Sequence, residues 1–233
     1  MEIPETYDPA RYERPSVTVD IVIFSIIQSG LKVLLVQRKY WPFEGMWALP
    51  GGFIRMTESL EEAAYRELKE ETSIDSDEVY LEQLYTYGDP ERDPRTRVIT
   101  VAYFALVGAD KIDPQAADDA ENVSWFPAYK PPPLAFDHRQ ILDYAVTRLR
   151  YKLEYTAVGF QLLPEKFTLS QLQEAYEIIL DEQLDKRNFR SKLRKANVVE
   201  AADGYVGTGG RPARLYRFRP DAVAEVKTRR LFP

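Results

Sequence analysis

The segment "GGFIRMTESLEEAAYRELKEETSI", residues 51–74, sets Glu67, Glu70 and Glu71 within five residues, with Glu58 a short stretch upstream. Side chains three and four positions apart on a helix face the same way, so these carboxylates form one acidic cluster. Each like-charge pair costs an exposed helix roughly 0.2–0.5 kcal/mol, which Arg66 and Lys69 offset in part. Such a run is either a solvated helix face or a cation site. The chain has no cysteine and a single histidine, His138, so disulfides and thiolate chemistry are excluded. Any metal is then held by oxygen or by that imidazole, which favours a hard cation, Mg²⁺ or Mn²⁺. Mg²⁺ takes a few carboxylate oxygens and leaves room for waters and phosphates. Held there, it can neutralise a diphosphate, lower the pKa of a water and align it for attack on phosphorus. Acids in "DPQAADDAENV" and Glu70 itself are all candidates for the general base, and the sequence does not choose among them.

Those residues need a rigid frame. "SVTVDIVIFSII" and "LKVLLVQR" are β-branched and apolar on either side of "QSG", which predicts a strand, a turn and a strand. Ser59 with Glu62 forms a capping box, and Leu60, Ala64 and Leu68 recur at helical spacing, predicting a helix from about Ser59 to Thr72. "VYLEQLYTY" and "VITVAYFALVG" read as strands around the polar loop "GDPERDPRTR". After the proline-stiffened "KPPPLAFDH", Asp137 is placed to cap a helix whose Ile141, Ala145 and Leu149 line one face. His138, just inside that helix N-terminus, reads as structural, because a positive helix end disfavours its charged form.

The formal net charge of −6 conceals two unlike parts. Residues 150–233 carry 16 Lys and Arg against 11 Asp and Glu, whereas residues 1–149 carry 15 against 26. We therefore place two domains at 1–152 and 153–233. In the second, Thr168 and Gln171 form a capping box before "LSQLQEAYEIIL", and "LDKRNFRSKLRK" gives another helix with Phe189 and Leu193 inward. "VVEAADGYVGTGGRPARLYRF" reads as two strands and a glycine-rich hairpin. Helix, turn, helix and hairpin is the order of a winged helix-turn-helix domain. Lys186, Arg187, Arg190 and Arg194 recur along its second helix, with Arg211 and Arg214 in the hairpin. Such a stripe suits a recognition helix in a double-stranded DNA operator with a basic wing on the phosphates. The N-terminus is no secretory signal and no apolar run spans a bilayer, so we expect a cytoplasmic protein without a membrane partner.

Gly52, Glu58, Arg66, Glu67, Leu68, Glu70, Glu71 and Ile74 stand at the spacing of the Nudix box, and the preceding "WALPGG" extends the likeness. The segment resembles Nudix hydrolases. That implies their α/β/α sandwich and hence an α+β chain overall. It also implies that Glu67, Glu70 and Glu71, with the Gly52 carbonyl, hold the metal, and that Arg66 orients one of the glutamates. The family's glycine after the paired glutamates is Ser73 here, at a helix exit where a left-handed conformation is common, which leaves turnover open. Residues Tyr87 to Arg97 resemble the loop of Nudix domains that bind ADP-ribose. Arg38, Tyr87, Arg92 and Arg95 are the expected ligand contacts, with Tyr87 stacking on adenine. Together with "LAFDH", "LDKRNFR" and "GRPARLYRF", the chain resembles the NrtR-type Nudix-related transcriptional regulators. The resemblance implies a homodimeric regulator of NAD metabolism whose Nudix domain binds ADP-ribose or a related nucleotide and modulates DNA binding. The alternative is a Mg²⁺-dependent ADP-ribose pyrophosphatase with an accessory C-terminal domain.

Overall fold

The computed structural model describes residues 8, 11–72, 79–108, 120–155, 158–207 and 212–219. Ser73 and the acidic run 109–119 lie outside them. Strands β1 (Ser16–Ile27) and β2 (Gly30–Arg38) pair antiparallel across Gln28 and Ser29, whose φ angles of 51° and 53° make the left-handed two-residue turn that matches strand twist. The sheet continues through β3 (Trp47–Ala48), β4 (Gly51–Phe53), β5 (Tyr80–Tyr87), β6 (Val98–Leu106) and β7 (Ala120–Pro127). Its order is β3-β2-β1-β6-β5, with β4 also on β1 and β7 also on β2. β1 and β6 run parallel through its centre, and both are buried on both faces, as their unbroken apolar runs require.

Period-two alternation decides which helix each residue meets. Val19, Ile21 and Ile23 of β1 and Val101 and Tyr103 of β6 pack with Ala64 and Leu68 of helix α1 (Leu60–Thr72). Val22, Phe24, Ala102 and Phe104 point the other way, to Ile141, Ala145 and Leu149 of α2 (His138–Tyr155). This is the expected α/β/α sandwich. The Ser59–Glu62 capping box starts α1, with the Ser59 amide donating to Glu62 at 2.7 Å and the Glu62 amide to Ser59 Oγ at 3.2 Å. α2 runs unbroken past Lys152, so the boundary we placed there falls within its last turn.

A 3-10 turn at Val158–Leu162 leads to α3 (Leu169–Leu180), α4 (Lys186–Ala196) and the hairpin β8 (Val199–Val206) with β9 (Ala213–Phe218). The Thr168–Gln171 capping box opens α3, and Asp185 caps α4. Phe167 and Tyr216 exchange backbone hydrogen bonds of 2.9 and 2.8 Å, which pins the wing beside the start of α3. Phe189 and Leu193 are buried against Leu172 and Tyr176, and these residues continue the apolar layer beneath α2. This winged helix shares one core with the sheet.

Candidate functional site

The acidic turn is organised by one guanidinium. Arg66 grips Glu58 at two points, Nη2 to Oε1 at 2.7 Å and Nε to Oε2 at 3.0 Å, and its Nη1 reaches Glu67 at 2.6 Å and Glu70 at 3.3 Å. Those bonds, with the Arg55 amide that also donates to Glu58, hold the Glu58 carboxyl well below the usual range, at about 2. The Arg66 pKa is raised in return, chiefly by Glu58. Glu67 is buried against the β4 glycines: a Cβ on Gly52 would stand 2.5 Å from its Oε1. Gly51 has φ +152° and a Cβ there would meet the Val19 carbonyl at 2.2 Å, so Gly51 tolerates no side chain, and one at Gly52 would displace the Glu67 carboxylate. Glu70 keeps 45% of its side chain in solvent. Glu71 lies on the same helix with its side chain outside the described residues. Among the described residues no three acids or histidines stand together as a finished metal cage.

Beside this turn opens a cleft of about 230 Å³ that Gly52 and Phe53 share with it. Arg38, Arg92 and Arg95 line it, as does Phe136. Phe136, in "LAFDH", is a site residue that our sequence reading did not single out. Its φ of 53° is left-handed, a conformation costing a residue with a Cβ about 1–2 kcal/mol. The strain presents the ring to two cations, Arg38 at 4.8 Å and Arg95 at 5.7 Å from its centroid. Arg95 also lies 5.3 Å from the Phe53 ring, while Asp93 holds it at 2.7 Å. Arg38 Nε donates to the Pro42 carbonyl at 2.7 Å.

Two expected contacts stand differently. Tyr87 does not line the cleft: it is buried in the apolar layer on the α2 side, its ring 5.3 Å from that of Tyr85, and burial pushes its phenol up to about 12. Arg92 lines the cleft floor, but its side chain is 4% exposed and committed to carboxylates. It meets Asp137 at 2.6 and 2.9 Å and Asp20 at 3.3 Å. Burial pulls the guanidinium pKa down, and Asp137 and Asp20 more than reverse it. Asp137 thus stands where a helix cap belongs but spends its carboxylate on Arg92. Asp20 was a second omission, and a charge inside the apolar run "SVTVDIVIF" was its signal.

His138, read from the sequence as structural, stands among the residues that line the cleft. Its Nδ1 accepts the Leu49 amide at 2.9 Å, its Nε2 lies 3.6 Å from Asp20, and burial lowers its pKa.

On the other domain, Lys186, Arg187 and Arg194 of α4 are exposed, and so is Arg214 on the wing. Arg190 is half-buried and its Nε has no hydrogen-bond partner among the described residues. Arg211 falls outside the described residues. Arg194 and Lys195 complement the negative end of α4, whereas Lys186 and Arg187 oppose the positive end, at a cost of about 0.3–1 kcal/mol each. Cations that disfavour their own helix suit an external polyanion.

Comparison with known proteins accords with both halves. The NUDIX domain family model matches residues 16–145 and the NrtR DNA-binding winged helix domain residues 159–218. The chain is 43% identical over 216 residues, 91% of its length and 85% of the relative's, to an ADPR responsive transcriptional repressor, NtrR, of Acinetobacter baylyi. It overlays Shewanella oneidensis NrtR complexed with a 27mer DNA at TM-score 0.82 and 38% identity, covering 93% of this chain and 99% of that one. The NUDIX domain of Shewanella oneidensis NrtR complexed with ADP ribose matches at TM-score 0.55 and 42% identity, over 62% of this chain and 94% of that one. The chain belongs to the NrtR family, a Nudix domain joined to an NrtR DNA-binding winged helix.

Proposed function

We propose that this chain is an ADP-ribose-responsive transcriptional repressor, acting in the cytoplasm as a homodimer on genes of NAD metabolism. The observation that carries the reading is the construction of one core that bears, at one end, a cleft of arginines and aromatic rings beside a carboxylate turn and, at the other, a cationic recognition helix. Arg38 and Arg95 offer forks to a diphosphate. Phe136 and Phe53 offer faces to adenine. A two-fold pair of winged helices reads half-sites about one helical turn apart. The test is a gel-shift titration against the protein's own upstream region with and without ADP-ribose. Binding that weakens steeply with salt and responds to the nucleotide supports the reading, and salt-indifferent binding sinks it.

The acidic turn fits a divalent cation, Mg²⁺ or Mn²⁺. Glu67 is pressed against glycines that leave no side chain between it and the cleft, and every donor is hard oxygen. Glu67, Glu70, Glu71 and the Gly52 carbonyl would hold it, and the metal would supply charge neutralisation at the diphosphate. Arg66 keeps the carboxylates together when the cation is away. Because these side chains are intact, hydrolysis of ADP-ribose is a second activity to assay, and Glu70→Gln should abolish it.

A further inference from the structure

We propose that Tyr129 and Arg150 form a polar latch on the last turn of α3, and that α2 transmits the state of the cleft to it. This rests on the ADP-ribose-responsive reading and names the joint through which the response passes. The final carbonyls of a helix have no partner within it. Here the other domain supplies them. Tyr129 Oη donates to the Ile179 carbonyl at 2.5 Å and approaches that of Ile178 at 3.4 Å. Arg150 donates from Nε to Ile179 at 3.2 Å and from Nη2 to Leu180 at 3.0 Å. The guanidinium lies over the Tyr129 ring at 5.1 Å, so each residue holds the other in place, and its charge suits the negative helix end. A third tie joins Ser29 Oγ to Glu174 at 2.9 Å.

Both ends of the path are continuous. Arg150 rides on α2, whose first residue, His138, and preceding Asp137 are bonded to the cleft floor through Leu49 and Arg92. From there to Arg150 is roughly 18 Å along one rigid helix at ~1.5 Å per residue. Beyond the latch, α3 carries α4 with it. The Leu184 amide donates to Glu177 at 2.9 Å, Gln173 donates to the Leu184 carbonyl at 2.9 Å, and the rings of Tyr176 and Phe189 stand 5.6 Å apart. Apolar residues of both parts share one cluster along the seam, and apolar contact tolerates small shifts, whereas hydrogen bonds are directional. Ile178 and Leu180 are half-buried and the turn after them, Asp181 to Gln183, is exposed, so the latch sits at the rim of the seam and not in its core. That placement suits a two-position joint.

The test uses the full chain with Tyr129→Phe and Arg150→Met combined. Calorimetry reads ADP-ribose affinity, fluorescence anisotropy reads affinity for the upstream duplex with and without ADP-ribose, and hydrogen exchange reads the amides from Ile179 to Leu184. In the wild type the ligand is expected to change DNA affinity by a factor on the order of 5–150 and to alter exchange at those amides. In the double variant, ADP-ribose affinity stays within about two-fold of wild type while both responses collapse. Arg150→Lys, which returns a cation to the carbonyls, restores part of them. A double variant that keeps the wild-type responses overturns the latch, and so does one that loses ADP-ribose binding. A wild type whose exchange responds to ADP-ribose while its DNA affinity does not overturns the repressor reading and leaves the latch standing; exchange that ignores the ligand overturns the latch itself.

Discussion

Arg92 and Asp137 meet face to face, two nitrogens on two oxygens at 2.6 and 2.9 Å, in a position where the guanidinium is almost wholly withdrawn from water. Asp20 completes the set at 3.3 Å. The arrangement ties the loop after β5 to β1 and to the head of α2, so its primary role is to hold the cleft floor together. Removing one member of a buried ionic set strands the others. We expect Arg92→Ala to cost about 3–5 kcal/mol and to lower Tm by roughly 6–20 °C. Thermal melts followed by circular dichroism check this, and a loss under about 1 kcal/mol would mean the pair is dispensable.

His138 gives a pH dependence with a defined sign. Burial, the largest influence, holds its pKa below 6.5, with Arg92 and Arg38 acting in the same direction and Asp20 and Asp137 opposing them. The unfolded chain therefore takes up a proton near 6.5 that the folded chain refuses. Stability is full above that value and falls as the pH drops through it, by at most about 1.4 kcal/mol per pH unit. Glu58 does not interfere: its contribution is lost only as pH falls from 4.5 toward its folded value of about 2. Since the chain has one histidine, Tm measured between about pH 7.5 and 5.5 isolates the effect, and a flat profile would contradict a buried neutral imidazole.

Much of this architecture was legible from residue pattern, because periodicity and caps are local. Ser59–Glu62 and Thr168–Gln171 form their capping boxes where they were expected, and Phe189 and Leu193 face inward. Tyr87 shows where pattern stops. On β5, Tyr80 and Leu84 contact the α2-side layer while Leu81 contacts the α1 side. A register shift between Gln83 and Tyr85 then inverts the alternation, so Tyr87 returns to the α2 side. Such a bulge inserts one unpaired residue and leaves no local signature. Arg92 was opaque for a different reason. Its partners Asp20 and Asp137 lie on either side of it in sequence, 72 and 45 positions away, and only the folded sheet brings the three together.

That relocation of Tyr87 makes a direct prediction about the ligand. Tyr87→Leu, which removes the aromatic ring, should leave ADP-ribose affinity unchanged within about two-fold, since a buried ring that does not reach the cleft makes no contact with the ligand. Phe136→Ala should weaken it roughly ten-fold, the loss of one stacked base. Isothermal calorimetry on both variants decides the matter. A Tyr87→Leu loss larger than that of Phe136→Ala would return the adenine to β5.

The recognition helix yields the last contrast. Arg187 is exposed on α4 at a helix end that gains nothing from its charge, whereas Arg190 is half-buried, with an Nε that has no hydrogen-bond partner among the described residues. Arg187→Ala should therefore weaken DNA binding across sequences and reduce the slope of log affinity against log salt by about one, as expected for the loss of a single phosphate contact. Its Tm should move by less than the equivalent of about 0.5 kcal/mol, since an exposed side chain supports little packing. Arg190→Ala should change both DNA affinity and Tm, because that residue also belongs to the packing of the helix. Anisotropy titrations at several salt concentrations, paired with melts of the same preparations, separate the two. If Arg187→Ala left the salt slope untouched, the cationic end of α4 would face away from the duplex, and the wing residue Arg214 would have to carry the phosphate contacts in its place.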